Sequence, residues 1–501
     1  KSELIQETML IERNLKKTKI LLIYPPDHNQ VDSQTPNFAH QELVIYPPLG
    51  LLYLAGMFRE DPTVDIKVVD CQVDFKGFDD LAQLIKAENP DIVGVTLISN
   101  MLFDAYEILK VVKKTAPFAH LVVGGPHVTL YPEIVASSDL VDFAIFGDGE
   151  YGFKQLVDVL KGGSFPSKDL LAKVPGLTYK DENKEIVKIP NHLHDATDLD
   201  QIPFPDRTLV NPAVYGNPGN KSQTAATIVT SRGCPYKCNF CDIPHKNYNF
   251  RTAANVADEI EEILSLGINE INIMDDTFNL RRQRIVDICN EIIDRKLKFQ
   301  WVGRGRVYPF DEELAMLLKK SGCYRFHIGI ESGSKEILDD IGKKISLKQI
   351  RNFFKFCRTA KIDVLAYFIL GFPDETEEQI QESIDFSKEI GCKYAYFSIL
   401  SLFPGTPVYE LGKTKNVVQG DPWLEFAKNP VKDFKIPFWT ETISRDRLFE
   451  ILREAYTQFY FSPKYLGQRV IEVLRSPKHT GGMVKAGMAM AKYVVSNKKG
   501  F

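Results

Sequence analysis

The most informative part of this chain is one short stretch, Ser231-Arg-Gly-Cys-Pro-Tyr-Lys-Cys-Asn-Phe-Cys241, whose three cysteines follow the spacing CxxxCxxC. Three thiolates this close in sequence can ligate one iron–sulfur cluster, and they leave its fourth iron without a protein ligand. Metal ions do chemistry at open coordination positions, so the stretch predicts an enzyme. Two alternatives are structural zinc, which usually takes four ligands from repeated CxxC pairs, and ordinary core cysteines. Neither is favoured, because no second pair follows and the stretch is rich in Gly, Pro, Lys and Asn.

Length and composition limit the possible classes of protein. A chain of 501 residues is too long for one ordinary core, so we expect two or three domains. A content of 44% hydrophobic and 26% charged residues is typical of a globular protein, and a net charge of −4 argues against nucleic acid as the main partner. Eight cysteines without a regular array indicate a reducing compartment, so we expect a cytoplasmic location. No apolar run reaches the ~18 residues that would span a bilayer, so membrane contact is expected to be peripheral at most.

Residues 1–165 alternate between apolar strand patterns and helical periods, which predicts an α/β domain with a doubly wound, Rossmann-like parallel sheet. The five predicted strands are residues 20–24, 66–70, 92–97, 121–124 and 143–146. Each is a nearly continuous apolar run, as expected for strands buried on both faces. Ligands of such sheets bind beyond the C-terminal ends of the strands, where this chain has small or glycine-rich segments.

A second alternation over residues 223–410 predicts a partial (β/α)6 barrel. Its six predicted strands are residues 224–231, 271–274, 300–303, 325–330, 363–370 and 394–400. Catalytic residues of such barrels stand at the C-terminal ends of the strands. The cysteine stretch directly follows the first strand, so the predicted fold and the predicted metal site agree.

The remaining residues are predicted to connect and cover these two domains. Residues 166–222 are interpreted as a linker with a hairpin at 176–190, and residues 411–501 as a mostly helical cap. Helices are predicted at residues 445–461, 465–474 and 483–495; the last is expected to cap the barrel, with a membrane-surface helix as the alternative. Aromatic side chains of the cap either line a pocket for a large hydrophobic substrate or only pack together. They are Trp423, Trp439, Tyr456, Tyr460 and Phe461.

The cysteine stretch, with Phe240 before its last cysteine, resembles that of the radical S-adenosylmethionine (SAM) enzymes. The domain in front of it resembles a cobalamin-binding domain. Together they resemble the cobalamin-binding radical SAM enzymes over nearly the whole chain, to about residue 410. Further signatures that carry the resemblance are Tyr46-Pro-Pro-Leu-Gly-Leu51, Val123-Gly-Gly-Pro-His127, Met274-Asp-Asp-Thr-Phe278, Ile328-Gly-Ile-Glu-Ser-Gly333, Leu370-Gly-Phe-Pro-Asp-Glu-Thr376 and Phe403-Pro-Gly-Thr-Pro407.

The resemblance implies three cofactors and a mechanism. A [4Fe–4S] cluster is held by Cys234, Cys238 and Cys241, and the amino and carboxylate groups of SAM chelate its fourth iron. Reductive cleavage of SAM gives a 5′-deoxyadenosyl radical that abstracts hydrogen from an unactivated carbon, and cobalamin then provides the methyl group as methylcobalamin. The implied partners are a small-molecule substrate and a low-potential electron donor.

The resemblance also implies contacts with SAM at five positions: Phe240, Asp276, Arg304, Glu331 and Gly371. Asp275 is an alternative to Asp276 for a ribose hydroxyl or the amino group, and Arg306 is an equal alternative to Arg304 for the carboxylate. Structural roles stay open for several of them. Phe240 is equally suited to barrel packing, the aspartates to a helix N-cap, and Gly371 to a plain turn.

Seven positions are implied as cobalamin contacts: Thr96, Leu97, Gly124, Gly125, Pro126, His127 and Gly147. Classical cobalamin domains carry a DxHxxG motif whose histidine ligates cobalt, but this chain has Asp27-His28-Asn29 after its first strand. A protein ligand to cobalt is therefore in doubt. His28 and His127 are the candidates, and for each the expected role is that of a solvated loop histidine.

The resulting prediction is a cobalamin-dependent radical SAM enzyme that methylates an unactivated carbon. One alternative keeps the architecture but closes a ring or performs another radical rearrangement, like the anaerobic porphyrin-ester cyclases. A non-enzyme alternative is a corrinoid or iron–sulfur carrier, which leaves the barrel unexplained. A radical SAM methylthiotransferase is excluded, because that family has three cysteines in its N-terminal domain and the first 160 residues here contain only Cys71.

Overall fold

The computed structural model describes residues 17–31, 45–74, 76–161, 166–192, 198–216, 224–243 and 247–475. The chain divides into two compact units. The first consists of Lys1–Val31, Pro47–Asn211 and Trp423–Phe434, and the second of Asp32–Tyr46, Pro212–Pro422 and Lys435–Phe501.

The first unit contains a seven-stranded sheet with the order β2-β1-β3-β4-β5-β6-β7. Its strands are β1 (Thr18–Tyr24), β2 (Val64–Asp70), β3 (Ile92–Thr96), β4 (His120–Gly124), β5 (Phe143–Ile145), β6 (Leu177–Lys180) and β7 (Ile186–Lys188). The first five are parallel, and the order 2-1-3-4-5 is that of a doubly wound sheet, as predicted. The predicted hairpin exists, but it extends this sheet rather than forming a separate linker, because β6 pairs antiparallel with β5.

Helices cover this sheet, and its strands are buried as their apolar composition predicts. The helices are α1 (Leu49–Gly56), α2 (Cys71–Asp74), α3 (Phe78–Glu88), α4 (Leu102–Thr115), α5 (Pro126–Leu130), α6 (Pro132–Ser137), α7 (Glu150–Leu160) and α8 (Lys168–Leu171). Leu22 of β1 and Phe143 of β5 are completely buried in one core cluster, to which α7 contributes Phe153. Burial on this scale stabilises each large apolar side chain by about 1.5–3 kcal/mol.

The second unit contains a six-stranded parallel sheet in the order β15-β14-β13-β12-β11-β8, which confirms the predicted partial barrel. Its strands are β8 (Ala226–Ile228), β11 (Glu270–Ile273), β12 (Gln300–Gly305), β13 (Cys323–Glu331), β14 (Asp363–Leu370) and β15 (Tyr394–Ile399). The first strand is shorter than predicted. After it the chain leaves the sheet, and β9 (Ser231–Arg232) pairs antiparallel with β10 (Asn249–Phe250).

Helices follow the barrel strands on one side. They are α9 (Ala253–Ser265), α10 (Arg282–Asp294), α11 (Glu312–Lys320), α12 (Lys335–Asp340), α13 (Leu347–Ala360), α14 (Glu377–Ile390) and α15 (Pro407–Thr414). Along β14 fully buried residues such as Phe368 alternate with half-buried ones such as Tyr367. Successive strand residues face opposite sides of the sheet. Helices α13 and α14 pack on the outer side of β14, so the fully buried residues face these helices and the half-buried residues face the inside of the barrel.

The C-terminal region is helical as predicted, with α16 (Pro422–Lys428), α17 (Arg445–Tyr460) and α18 (Pro463–Arg475). The predicted helix at 483–495 lies outside the described residues. Helix α17 packs on β15, the strand at the edge of the sheet. The Tyr456 hydroxyl donates to the Phe397 carbonyl at 2.8 Å and accepts from its N–H, and the Tyr460 hydroxyl does the same at Ala395.

Three of the five aromatic residues named for this region are fully buried. Trp423, Trp439 and Tyr456 are at most 1% exposed, and Trp423 packs against Phe434 with ring centroids 4.8 Å apart. Phe461 is 40% exposed. The buried rings therefore contribute packing, the second of the two roles considered from the sequence. In the part of the chain that the structure describes, none of the helices combines the length and the apolar character needed to cross a bilayer.

Candidate active site

The three cysteines of the CxxxCxxC stretch lie on the loop after β9. Cys234 and Cys238 are 7% and 9% exposed, and Cys241 is half-buried. The Thr277 hydroxyl donates to Cys234 Sγ at 3.4 Å, and Nη1 of Arg306 lies 3.8 Å from Cys238 Sγ. Hydrogen-bond donors and a nearby cation stabilise thiolates, the form that ligates iron. The donor set therefore fits a [4Fe–4S] cluster.

The other cysteines serve as a comparison. Burial raises the thiol pKa of Cys71 and of Cys289 to about 12, so both are inert core residues. Among the described residues no three His, Cys, Asp or Glu side chains converge as a single metal ion would require. A cluster gives each thiolate an iron of its own, so its ligands do not need to converge on one point.

Backbone contacts fix the cysteine loop at both ends. Gly233, with φ of +88°, donates its N–H to Asp276 Oδ2 at 2.8 Å. Asn239 donates its N–H to the Ile341 carbonyl after α12, and its own carbonyl accepts from the N–H of Val408 in α15. The loop is thus tied to the ends of three different barrel segments. Asp276 itself is exposed. Its contact with SAM stays a prediction.

Asp275, the alternative to Asp276, has a structural role. It is 3% exposed and accepts from the N–H and the hydroxyl of Thr230, both at 2.6 Å, and from the Ser231 hydroxyl at 2.5 Å. The Arg284 guanidinium lies 3.8 Å from the same carboxylate. This network holds the chain where it leaves β8. Neither aspartate is a helix N-cap, since α10 begins only at Arg282.

The structure separates the two candidate arginines. Arg306 is buried beside the cysteine loop, donates to the Lys343 carbonyl and stacks over the Tyr236 ring at 3.8 Å. Arg304 lies on the inner face of β12, and its Nη2 donates to the Tyr46 hydroxyl at 3.2 Å. Only Arg306 contacts a cysteine of the loop.

Glu331 ends β13 with φ of +69° at an irregularity of the strand pairing. Its Oε1 accepts from Lys343 Nζ at 2.5 Å, and both side chains are only 8% exposed. Gly329 leaves room for this pair, since a Cβ there would lie 2.2 Å from Glu331 Oε1 and displace the carboxylate. A buried carboxylate needs a partner, and Lys343 provides it. Sequence reasoning missed Lys343, and the predicted contact of Glu331 with SAM stays a prediction.

Gly371 and Phe240 meet through a turn that sequence reasoning left unexplained. Gly371 has φ of +84°, and the N–H groups of Gly371 and Phe372 donate to Glu375 Oε2 at 2.7 and 3.0 Å. Burial raises the pKa of Glu375 to about 7. The Phe372 ring contacts the Phe240 ring edge-on, with centroids 5.7 Å apart. Glu375 therefore fixes the turn next to the cysteine loop, and a glutamate four residues after a strand-end glycine was the available signal.

In the first unit, the predicted cobalamin contacts gather at the C-terminal ends of β3, β4 and β5. Leu97 donates its N–H to the Gly124 carbonyl and accepts from the His127 N–H. Gly125 has φ of +104°, and a Cβ there would lie 2.8 Å from the Leu97 carbonyl oxygen. Gly147 follows β5 with φ of +76°. Small residues at adjacent strand ends form a cradle, which fits a bulky ligand bound against backbone.

The expected role of His127 was wrong. His127 is completely buried rather than solvated, because α5 begins directly after Gly125 and turns it inward. Its Nδ1 is 2.9 Å from the Ser99 hydroxyl, and among the described residues its Nε2 has no hydrogen-bond partner. Burial lowers its pKa to about 4. His28 is exposed after β1, as expected of a loop histidine.

Two family models match parts of this chain. The sequence model of the Radical SAM superfamily matches residues 228–387, and that of the B12 binding domain matches residues 43–157. Over 478 residues the chain is 34% identical to an uncharacterized methyltransferase of Pyrococcus horikoshii, which covers 94% of this chain and 97% of that protein. The chain belongs to the cobalamin-binding radical SAM enzymes. Its predicted cofactors, a [4Fe–4S] cluster, SAM and cobalamin, are those of the family.

Two further proteins are similar to this chain, one in sequence and one in fold. The chain is 26% identical over 477 residues to the anaerobic magnesium-protoporphyrin IX monomethyl ester cyclase of Rubrivivax gelatinosus, covering 93% of this chain and 82% of the cyclase. It also has the fold of the radical SAM methyltransferase TsrM of Kitasatospora setae, with a TM-score of 0.69, 20% identity and coverage of 89% of this chain and 90% of TsrM.

Proposed function

We propose that this radical SAM enzyme is a cobalamin-dependent methyltransferase that acts on a carbon atom of a small molecule. The observation that carries the proposal is the 34% identity to the Pyrococcus methyltransferase. The match covers 97% of that protein and includes both compact units of this chain. A cyclase is the second candidate, because the identity to the Rubrivivax cyclase extends over 82% of that enzyme.

The residues around the cysteine loop support a cluster-binding role. Cys234, Cys238 and Cys241 would hold the irons, while Thr277 and Arg306 stabilise the thiolates through the contacts described above. When bound, the cluster supplies the electron that cleaves SAM, and cobalamin supplies the methyl group. The low exposure of Cys234 and Cys238 limits the access of water and oxygen to their side of the site.

Arg306 is the better candidate for the SAM carboxylate, since its guanidinium lies beside the loop that would hold the iron. Phe240 and the turn at Gly371 are proposed to border the adenine, and Asp276 to meet a polar group of SAM. The two turn N–H groups already bond to Glu375, so they are not the donors for adenine.

For cobalamin we propose the cradle formed by Thr96, Leu97, Gly124, Gly125 and Gly147, together with Pro126. His127 is proposed to border the cradle from within the fold. Its imidazole is held by Ser99 and is neutral near pH 7, since burial lowers its pKa to about 4. A direct bond from His127 to cobalt would require the buried ring to leave this position.

Product analysis tests the function. The enzyme is reconstituted anaerobically with iron, sulfide and cobalamin, then incubated with SAM and a low-potential reductant. A methyltransferase should release S-adenosylhomocysteine together with 5′-deoxyadenosine, whereas 5′-deoxyadenosine alone would favour the cyclase. Cys238→Ala should lose the cluster absorbance and 5′-deoxyadenosine formation. Cys71→Ala, which replaces a buried core cysteine, is the matched control and should keep both. Absence of bound corrinoid after reconstitution would contradict the proposal.

A further inference from the structure

A polar layer lines the inner face of the barrel below the cysteine loop. It is formed by half-buried side chains of three adjacent strands: Arg304 of β12, His327 of β13 and Tyr367 of β14. His327 Nδ1 is 3.2 Å from the Tyr367 hydroxyl, and the two rings meet edge-on with centroids 6.0 Å apart. The Tyr396 ring of β15 lies 5.5 Å from the Tyr367 ring. A packed barrel interior would place apolar side chains at these positions.

Two groups in this layer lack the partner that their chemistry requires. His327 Nε2 is buried and has no hydrogen-bond partner among the described residues. Arg304 donates to the Tyr46 hydroxyl, and within the described part of the chain no carboxylate pairs with it. Burial, with Arg304 and Arg325 nearby, holds the pKa of His327 well below its usual range. The layer therefore places the Arg304 guanidinium, which has no carboxylate partner among the described residues, beside a neutral imidazole, and leaving such groups unpaired in a folded interior is costly.

SAM is the first ligand to consider for Arg304, but its position argues against this. Arg306 already reaches Cys238 Sγ at the level of the loop. Arg304 precedes it by two residues, and at about 3.3 Å per strand residue it lies roughly 7 Å further from the mouth of the barrel. A SAM molecule bound to the loop-held iron would therefore use Arg306 and leave Arg304 available.

We infer that Arg304, His327 and Tyr367 bind an anionic group of the substrate, a carboxylate or a phosphonate. This inference rests on the proposed function, in which the substrate enters the barrel. If the Tyr367 hydroxyl donates to Nδ1, His327 carries its proton on Nε2, so the imidazole and the guanidinium both present N–H donors to one anion. The Tyr367 and Tyr396 rings contact each other on the adjacent strands β14 and β15, with centroids 5.5 Å apart, and suit a flat, apolar portion of the molecule. The substrate class is thus an aromatic or similarly flat organic acid.

Ligand-observed NMR tests this binding without turnover. Reconstituted holoenzyme with saturating SAM and no reductant is titrated with benzoate, phenylphosphonate and the neutral benzamide, and saturation transfer to each ligand is measured. We expect at least one of the two anions to bind at least tenfold more tightly than benzamide, because a charged hydrogen-bonding group is lost in the amide. This comparison needs no variant, so it does not depend on how a mutant folds. Equal affinity for all three molecules would overturn the inference.

Variants then locate the binding. Arg304→Gln should weaken binding of the preferred anion at least tenfold. Arg351→Gln removes the same charge from an exposed pair with Glu389 on the outside of α13 and should leave the affinity unchanged. An equal loss of anion affinity in the two variants, or an unchanged affinity in R304Q, would contradict the assignment of the anion to Arg304. Anion binding that is seen only when SAM is left out of the titration would assign Arg304 to the SAM carboxylate instead. A failure to form S-adenosylhomocysteine would refute the proposed function while leaving these affinities as they are.

Discussion

Replacing Glu375 by glutamine should remove a specific pH dependence of stability. Glu375 Oε2 accepts from the N–H groups of Gly371 and Phe372, while its Oε1 is buried without a hydrogen-bond partner among the described residues. Burial is the main reason that its pKa is raised from 4.5 to about 7. Glutamine has nearly the same shape, and its amide oxygen can accept from both N–H groups, but it does not titrate.

The sign and size follow from linkage. The folded pKa lies above the unfolded one, so the stabilisation is complete below pH 4.5 and is lost as the pH rises through about 7. At about 1.36 kcal/mol per pKa unit, this shift corresponds to about 3 kcal/mol. Part of this stabilisation is already lost at pH 5, so relative to Glu375→Gln the wild type should lose about 2.5 kcal/mol of unfolding free energy between pH 5 and pH 8.

Urea unfolding of the two proteins, prepared without cofactors, at pH 5 and pH 8 measures this difference. Contributions from groups common to both, such as His127 and His327, cancel in the comparison. Infrared difference spectra give a direct check, since the carbonyl stretch of a protonated carboxylic acid should disappear with a midpoint near pH 7 in the wild type and be missing from the variant. Glu378→Gln, an exposed position on α14, is the control and should show neither change. A wild-type minus variant difference that is the same at both pH values would refute the reasoning.

Three further predictions concern the barrel unit. Asp275→Asn should lower the free energy of unfolding by about 3–5 kcal/mol, because it breaks a buried, charged network at the start of the cysteine loop. It should also lower the iron content after reconstitution. Normal stability and normal iron binding would contradict this prediction. Tyr456→Phe and Tyr460→Phe should each cost about 1–2 kcal/mol and speed amide exchange in β15, and unchanged exchange would argue against the hydroxyl contacts. Gly333→Ala should destabilise by about 1–3 kcal/mol in urea unfolding, since its Cβ would lie 2.7–2.8 Å from three atoms of α14, whereas Gly467→Ala has open space and should not.

The sequence predicted the layout of the fold better than the contacts within the site. Apolar runs located the five parallel strands of the first sheet and the six strands of the second, because at least one face of each strand is buried. The pairing of β6 with β5 was missed, since the hairpin was interpreted as part of a linker. The sequence could not decide whether Arg304 or Arg306 contacts the cysteine loop, since residues two apart would face the same side if the strand continued through both. The choice depended on where β12 ends, at Gly305. The partner of Glu331 is Lys343, which lies on a separate loop, so no local periodicity could reveal it. His127 was misjudged because its burial depends on the tight turn at Gly125.

The hydroxyls of Tyr456 and Tyr460 in α17, which bond to β15, also explain how the edge of a six-stranded barrel is protected from pairing with another chain. An open strand edge is a template for pairing with another chain, which leads to aggregation. Here the peptide groups of Ala395 and Phe397 are already occupied. Four residues of a helix advance about 6 Å and two residues of a strand about 6.6 Å, so a Tyr-x-x-x-Tyr pair matches every second peptide of the strand. A helix can therefore take the place of the next strand, and the edge cannot recruit a neighbouring molecule.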